Sequence, residues 1–265
     1  MASFKFGDQG PKVRKLQEAL KAAGFSPGLL DGDFGAGTEA ALMAYQRSAG
    51  LLADGVAGPR TLKALGLARS DKLESAIDRF SLPVVAQMFA GAPLSNVRIH
   101  LPVVLEAMQA ARLVDRTMLL MALCSIRAET AGFAPINEGI SRYNTSPRGH
   151  DFDLYDARTD IGNRKAPDGE RFKGRGFIQL TGRANYDTYG RRLAVPLIAQ
   201  PELANDPIVA AQILCCFLGD RERQIKEAVL DGDLRHARRL VNGGSHGLEV
   251  FTQAWNTGER LTADA

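Results

Sequence analysis

Apolar residues recur at helical spacing near the start of the chain. Val13, Leu16 and Leu20 lie three or four residues apart within residues 11–23, which places them on one face of an α-helix. Gly24 follows directly, and glycine readily adopts the left-handed conformation that ends helices. The pattern therefore predicts an amphipathic helix over residues 11–23.

A repeated motif follows this predicted helix. Residues 31–42 and residues 54–65 share the pattern D-G-x-x-G-x-x-T-x-x-A-L. Asp-Gly pairs favour tight turns, and the second glycine tolerates backbone conformations that other residues avoid. A helix is expected to begin after each turn, and Pro59 suits a first helical turn. Three short helices joined by Asp-Gly turns predict one small domain over residues 1–68.

The apolar spacing weakens over residues 69–98 and then returns in two predicted helices. Their apolar positions are Leu101, Val104, Leu105 and Met108, and then Leu119, Ala122, Leu123 and Ile126. Asp115 precedes the second helix and is a residue type that caps helix N-termini. We therefore expect a linker over residues 69–80 and a second, helical domain over residues 81–265.

Composition and charge narrow the class of protein. The chain has 265 residues, 45% hydrophobic and 24% charged, an ordinary globular composition that suits two domains. A net charge of +3 is too weak to predict nucleic-acid binding, although it suits an anionic polymer. No apolar run approaches the roughly 18 residues of a membrane helix, so no membrane insertion is expected. The basic segment 221–239 is interleaved with acidic residues and is interpreted as a solvated helix face.

The cysteines and the N-terminus indicate a compartment. Cys124, Cys215 and Cys216 lie in apolar helical runs and are expected to be buried, reduced thiols. Residues 1–8 lack a basic start followed by an apolar run, so no secretory leader is predicted. Both features are typical of a protein made in a reducing cytoplasm.

Acidic residues cluster at turns, where they could in principle bind a cation. An EF-hand loop needs a glutamate at its twelfth position, but Leu42 and Leu65 stand there in the two repeats. The acidic run over residues 151–160 is expected to cap local turns and to pair with neighbouring arginines. No metal site is therefore predicted.

Two carboxylates are candidates for acid–base chemistry. Glu129 lies at the end of the second predicted helix beside its apolar stripe, where desolvation favours the protonated form that a general acid needs. Glu138 follows in a loop, and a solvated carboxylate there can act as a base. Two carboxyl groups in unlike environments are the minimum for glycoside hydrolysis. The spacing alone does not distinguish them from surface charges.

Further polar residues stand in glycine-rich segments. Gly174-Arg175-Gly176 predicts a turn that brings backbone close to a ligand. Amide and hydroxyl side chains that suit sugar hydroxyls follow it, and another amide precedes a double-glycine turn. These side chains are Gln179, Thr181, Asn185 and, before Gly243-Gly244, Asn242.

Both halves of the chain resemble known families. Through the doubled D-G-x-x-G motif, residues 4–67 resemble the small peptidoglycan-binding domain found at the ends of many wall hydrolases. About residues 75–255 resemble the family 19 glycoside hydrolases, and look closest to its bacteriophage endolysins. The motifs are Ala128–Phe133, Gly174–Thr181 and Asn242–Gly244. The resemblance implies a mostly α chain: a small three-helix peptidoglycan-binding domain joined to an α-helical, lysozyme-like (chitinase family 19) catalytic domain.

The family 19 resemblance assigns roles to individual residues. It makes Glu129 the general acid, Glu138 the general base that activates a water, and Thr181 a residue that helps to hold that water. The substrate-binding residues that we expect are Gln179, Asn185, Asn242, Arg175 and Tyr143. An inverting enzyme is implied, with carboxyl groups about 6.5–9.5 Å apart and neither metal nor cofactor.

The resemblance also implies a biological setting. A monomeric phage lysozyme, or muramidase, would hydrolyse the β-1,4 bonds of bacterial peptidoglycan and lyse the host cell. It would stay in the host cytoplasm until a separate holin-type pore opens the membrane. It would then act on the peptidoglycan layer in the periplasm.

Four alternatives stay open. A chitinase of the same fold is the nearest, and a lytic transglycosylase, which needs an acid but no water-activating base, is the second. A cysteine or zinc peptidase is disfavoured because the thiols lie in apolar runs and the four histidines lack ligand spacing. The fourth is a wall-binding module with an inactive second domain.

Overall fold

The computed structural model describes residues 3–67, 75–242 and 247–263, and it is mostly α-helical, as predicted. The helices are α1 (Pro11–Ala22), α2 (Ala36–Ser48), α3 (Pro59–Ala64), α4 (Leu82–Met88), α5 (Leu94–Ala110), α6 (Arg116–Thr130), α7 (Asp168–Arg171), α8 (Arg183–Leu193), α9 (Pro207–Gly219), α10 (Glu222–Leu230), α11 (Leu234–Asn242) and α12 (Leu248–Leu261). Two short strands, β1 (Ile136–Asn137) and β2 (Arg175–Gly176), pair in antiparallel fashion. Within the described ranges, no helix is long and apolar enough to cross a membrane.

The chain divides into two compact units. The first comprises Met1–Ser75 and Arg223–Gly232, and the second comprises Ala76–Glu222 and Asp233–Ala265. Sequence analysis assigned residues 223–232 to the second domain, whereas they group here with the first unit. Half of the predicted linker, residues 69–74, lies outside the described residues, so the predicted boundaries stay a prediction.

The core of the first unit is built from the apolar faces that the spacing predicts. Val13, Leu16 and Leu20 of α1 are almost completely buried. They share one cluster with Phe34 and Leu42, which lie in the first repeat. The repeats therefore contribute apolar side chains to a common core.

A buried glutamine holds the first Asp-Gly turn. The side-chain amide of Gln17 donates to Asp31 Oδ1 at 3.0 Å, to the Asp33 carbonyl at 3.0 Å and to Thr38 Oγ1 at 3.1 Å. The backbone N–H of Gly32 donates to Gln17 Oε1 at 2.9 Å. The backbone N–H of Asp33 and the Gln17 amide lower the pKa of Asp31. The turn is thus closed by side-chain as well as backbone bonds.

The second repeat has the same arrangement around Gln46. Its amide donates to Asp54 Oδ1 at 3.0 Å, to the Val56 carbonyl at 2.9 Å and to Thr61 Oγ1 at 3.2 Å. The Gly55 N–H donates to its Oε1 at 3.2 Å. The aspartate, glycine and threonine of the repeat are therefore the partners of a buried amide.

The second unit is organised around α6. Ten of its 15 residues are buried, including all four that the spacing places on an apolar stripe. The helix contacts α4, α9, α11 and α12, so it is covered on several sides and not on one face. Asp115 caps its N-terminus, as predicted, and accepts a hydrogen bond from Met118 N at 3.2 Å. The C-terminal end of α6 carries Glu129 to the edge of this core.

The β1–β2 pair fixes the segment that follows α6. Ile136 pairs with Gly176 and Asn137 with Arg175, which brings residues 138 and 174 together at the end of the ladder. Gly176 has a φ of 82°, and a Cβ there would meet the Ala204 carbonyl at 2.7 Å, so only glycine fits. The loop between the strands, residues 138–174, is thereby closed at its base.

Candidate active site

Glu129 is paired with an arginine that sequence analysis misjudged. Its Oε1 accepts a hydrogen bond from a guanidinium nitrogen of Arg238 at 2.5 Å. The Arg238 side chain is completely buried, and that of Glu129 is 16% exposed. The prediction that the whole basic segment 221–239 is a solvated face is therefore wrong at Arg238. The sequence held a signal for this burial. Arg238 follows Ala237 and precedes Val241 by three residues, and these two apolar residues form the buried face of α11.

Asn242 lies in α11, the helix that also carries Arg238. It ends α11, four residues after Arg238, so the two side chains share a helix face. The predicted turn Gly243-Gly244 lies outside the described residues. Where the description resumes, a Cβ on Gly247 would stand 3.3 Å from the Cβ of Ala128. Gly247, the first described residue after this segment, is therefore close to the end of α6.

The turn between the two glutamates has an unusual backbone. Ala131 has a φ of 50° and Phe133 a φ of 53°, values that non-glycine residues rarely adopt. Asn96 Nδ2 donates to the Gly132 carbonyl at 2.9 Å, and Arg127 donates to the Ala131 carbonyl at 2.7 Å. Strained backbone of this kind persists where its surroundings fix it, and it clusters at functional sites.

Glu138 is half-buried and receives three hydrogen bonds. Its Oε1 accepts from Asn144 Nδ2 at 3.0 Å and from the Tyr155 hydroxyl at 2.9 Å. Its Oε2 accepts from the Gly174 N–H at 3.0 Å, and its own N–H donates to the Gly174 carbonyl at 2.8 Å. The sequence predicted a solvated loop carboxylate, but this carboxylate is held on three sides. Neither Asn144 nor Tyr155 was among the predicted site residues.

Gly174 leaves space for two functional side chains. A Cβ at this position would stand 2.8 Å from Gln179 Oε1 and 3.0 Å from Glu138 Oε2. The first glycine of the Gly-Arg-Gly motif therefore leaves room for Glu138 and Gln179, and a side chain there would displace at least the end of Gln179. Sequence analysis attributed this glycine to close approach of a ligand, and the neighbours in the structure are these two side chains.

Gln179, Thr181 and Asn185 are linked by hydrogen bonds. Gln179 has a φ of 54° and donates to the Ile136 carbonyl at 3.1 Å. Thr181 Oγ1 donates to the Gln179 carbonyl at 2.8 Å. Asn185 Nδ2 donates to the Thr181 carbonyl at 2.8 Å, and its side chain is exposed. Three of the predicted residues are thus linked in one row, the predicted substrate wall, and Gln179 of this row lies close to Glu138.

The two remaining predicted residues are in contrasting positions. Arg175 is only 8% exposed, and its guanidinium donates to the Lys173 carbonyl at 3.4 Å and to the Tyr186 hydroxyl at 2.9 Å. Tyr143 is 72% exposed, precedes the buried Asn144, and accepts a hydrogen bond from Arg142 at 2.7 Å. Tyr143 is open to a ligand, whereas Arg175 is occupied by internal partners.

The acidic run pairs locally, as predicted, although not only with arginines. Asp160 pairs with Arg158. Asp153 accepts hydrogen bonds from Ser146, with 2.7 Å to its backbone nitrogen. Asp156 lies 2.8 Å from His150 Nε2 and also accepts from the Gly169 N–H at 2.9 Å. These bonds give the loop between β1 and β2 its own internal structure.

An apolar cavity of about 540 Å³ lies elsewhere in the second unit. Its walls include Ala107 of α5, Leu193 of α8 and Cys215 of α9, and none of the predicted site residues lines it. Its lining has no pair of carboxylates, so it does not offer the two groups that the glycosidase prediction requires.

Comparison with known proteins identifies the first unit. Residues 9–65 match the family model of a putative peptidoglycan binding domain. This match confirms the resemblance inferred from the repeats. The N-acetylmuramoyl-L-alanine amidase CwlM of Mycobacterium tuberculosis is 54% identical over 56 residues, 21% of this chain and 14% of CwlM. A probable N-acetylmuramoyl-L-alanine amidase of Bacillus licheniformis is 46% identical over 69 residues, 25% of this chain and 20% of that protein. The chain thus spans a fifth or less of these curated relatives.

A solved structure resembles the larger part of the chain. The crystal structure of a chitinase C mutant aligns with a TM-score of 0.52 and 17% identity, covering 73% of this chain and 96% of that chain. At this identity the likeness shows the fold alone, and it confirms the chitinase-like fold of the prediction. The fold class, a small helical wall-binding domain joined to a helical chitinase-like domain, is therefore established.

Proposed function

We propose that this protein hydrolyses β-1,4-glycosidic bonds of bacterial peptidoglycan with inversion, using Glu129 as acid and Glu138 as base. The observation that carries the proposal is the contrast between the two carboxylates. Glu129 ends a buried helix against a buried arginine, while Glu138 is held by neutral donors in a wall of amide and hydroxyl groups. The two environments differ, but the guanidinium of Arg238 is a partner for the ionised form of Glu129. The assignment of Glu129 as the acid therefore follows the family 19 resemblance, and the mechanism requires its carboxyl group to be protonated when substrate is bound.

In this proposal the reaction is a single displacement. Glu138 takes a proton from a water, whose oxygen forms a bond to the anomeric carbon. The glycosidic bond breaks on the opposite face, and the leaving oxygen takes the proton of the Glu129 carboxyl group. This geometry needs about 6.5–9.5 Å between the carboxyl groups, a separation that stays a prediction.

The neighbouring polar side chains have supporting roles in this proposal. Thr181 helps to hold the water, and Gln179, Asn185, Asn242 and Tyr143 bind sugar. We reassign Arg175 from direct substrate contact to positioning, because its guanidinium holds the Lys173 carbonyl and the Tyr186 hydroxyl. Its task is to keep the backbone of the Gly174 turn in place.

Peptidoglycan is the proposed substrate because of the first unit. A wall-binding domain on the same chain raises the local concentration of wall at the catalytic domain. Chitin is the second candidate, since the fold of the larger part is that of chitinase C. A comparison of activity on purified peptidoglycan and on chitin oligomers distinguishes the two.

The proposal also covers the biological setting of the protein. We infer a monomeric phage lysozyme that is released from the host cytoplasm by a holin-type pore and then lyses the cell from the periplasm. Its expression in a bacterium should leave cells intact until the membrane is permeabilised. Lysis that follows expression alone would count against the need for a pore.

Analysis of sugar ends after digestion tests the chemistry. New muramic acid reducing ends support a muramidase, glucosamine ends indicate a glucosaminidase, and anhydro ends indicate a lytic transglycosylase. Glu129→Gln and Glu138→Gln should each abolish hydrolysis. Cleavage of stem peptides without new sugar ends would instead support a peptidase. Burial argues against a thiol nucleophile, because it raises the pKa of Cys124 and brings that of Cys215 to about 12.

A further inference from the structure

The two carboxylate oxygens of Glu138 accept different numbers of hydrogen bonds. Asn144 and Tyr155 both donate to Oε1, whereas only the Gly174 N–H, among the residues that the structure describes, donates to Oε2. A carboxylate offers about two lone-pair directions on each oxygen. Both directions on Oε1 are therefore occupied, while one on Oε2 stays available.

We propose that Tyr155 and Asn144 are positioning residues that make Oε2 the atom of Glu138 that accepts the proton of the attacking water. The inference rests on the proposed function and deepens it. As the water O–H bond breaks, the proton passes to Oε2 and the oxygen bonds to the anomeric carbon. Oε1 stays bonded to its two donors, which prevents the carboxylate from rotating.

Tyr155 is suited to act as a permanent donor. Burial, followed by the hydrogen bond and the charge of Glu138, raises the pKa of its phenol to about 12. The phenol therefore keeps its proton over the whole neutral range. Tyr186 is the other phenol near enough to be influenced by the charge of Glu138, and Arg158 lies over the Tyr155 ring at 5.8 Å.

Hydrogen bonds to both its N–H and its carbonyl hold the backbone of Tyr155 in place. Asn163 Nδ2 donates to the Tyr155 carbonyl at 2.8 Å, and the Tyr155 N–H donates to the Phe152 carbonyl at 3.0 Å. Asn163 Oδ1 in turn accepts from the N–H of Arg183 at 2.8 Å, the first residue of α8. The phenol is thus anchored to a helix and not to a free loop.

Asn144 is even more strongly constrained. Its side chain is fully buried, and Nδ2 donates to Glu138 Oε1 and to the Gly139 carbonyl. Its Oδ1 accepts from Ser141 N at 2.8 Å and from the Thr145 hydroxyl at 3.0 Å. All four hydrogen-bonding positions of the amide are used, so the network fixes its orientation.

The available oxygen faces the predicted substrate wall. Oε2 of Glu138 and Oε1 of Gln179 lie within 3.0 Å of the point that a Cβ on Gly174 would occupy. Thr181 is linked to the backbone of Gln179 by its hydroxyl group. A water bound at Oε2 would therefore stand close to Gln179, one of the side chains proposed to bind sugar.

Tyr155→Phe tests the inference, because it removes one hydroxyl and keeps the ring. Loss of a hydrogen bond to a charged group changes a rate or equilibrium constant by roughly 10- to 100-fold. We expect kcat on soluble peptidoglycan glycan fragments to fall by about that factor with KM little changed. We also expect the acidic limb of the pH–rate profile to move upward by about one pH unit. Asn144→Ser should move the limb in the same direction.

Two controls separate the possible failures. Tyr189→Phe removes a buried phenol from the same unit without touching Glu138, and it should leave kcat and the pH limb unchanged. Glu138→Gln tests the proposed function itself, which fails if this variant still hydrolyses. If Glu138→Gln is inactive but a folded Tyr155→Phe keeps the wild-type rate and limb, the positioning inference is wrong and the proposed function stands.

Discussion

Arg238 donates a hydrogen bond from a completely buried guanidinium to Oε1 of Glu129, at 2.5 Å. The two residues are 109 positions apart and come from α11 and α6. A buried cation needs an anionic partner because desolvation is costly. This pair therefore connects the proposed acid with the stability of the second unit.

Arg238→Ala should destabilise the second unit by about 3–5 kcal/mol, because it leaves a largely buried carboxylate without its charged partner. Arg238→Lys should fold but lose activity at least about tenfold, since a single ammonium does not reproduce the planar guanidinium. Chemical denaturation and wall-hydrolysis assays measure the two effects. Arg239→Ala, at the exposed neighbouring position, should stay within about 0.5 kcal/mol of the wild type. Equal effects of the two alanine variants would contradict the role of the pair.

Gly174→Ala should abolish hydrolysis, and its effect on folding stability should be small by comparison with this loss of activity. The added Cβ would stand 2.8 Å from Gln179 Oε1 and 3.0 Å from Glu138 Oε2, so one of these side chains must move. A displacement of about 1 Å at a reacting group can lower the rate about 100-fold. The matched control is Gly139→Ala, where a Cβ meets open space. Comparable activity of both variants in a turbidity assay would show that the close approach is unimportant.

Gln17→Ala and Gln46→Ala should destabilise the first unit by similar amounts. Each leaves a buried backbone N–H, that of Gly32 or Gly55, without its acceptor, which costs about 1–3 kcal/mol. Hydrogen exchange measured by mass spectrometry should show faster exchange in residues 3–67 and unchanged exchange in residues 76–222. The exposed Gln9 supplies the control, as Gln9→Ala should leave the exchange rates unaltered. Unequal effects of the two buried glutamines would mean that the repeats are not energetically equivalent.

The surroundings of His150 predict that the folding stability of the protein depends on pH. Its hydrogen bond with the Asp151 backbone, and then the carboxylates of Asp156 and Asp153, raise its pKa above 6.5. A group with a raised folded-state pKa stabilises fully below its unfolded pKa, and this contribution is lost as pH rises through the folded value. The melting temperature of the wild type should therefore exceed that of His150→Ala by more at pH 5.5 than at pH 8.5. Calorimetry at the two pH values measures this difference. A constant difference between the two melting temperatures would exclude this contribution.

The local features of this protein were predictable from its sequence. The spacing of Val13, Leu16 and Leu20 predicted the buried face of α1, and Asp115 predicted the start of α6. Such features depend on residues within a few turns of one another, so periodicity and capping preferences are sufficient to find them. The repeat predicted two equivalent turns for the same reason, although not the buried glutamines that close them.

Long-range partners were decided by the tertiary structure alone. Arg238 lies in a charged segment whose pattern is typical of a solvated face, and only the packing of α11 against α6 turns it inward. Asn144, Tyr155 and Gly174 reach Glu138 from 6, 17 and 36 residues away. Sequence spacing does not encode which groups meet when a loop closes, because that depends on the β1–β2 register and on the packing beneath it. The two candidate glutamates could be selected from the sequence, but the groups that hold them could not.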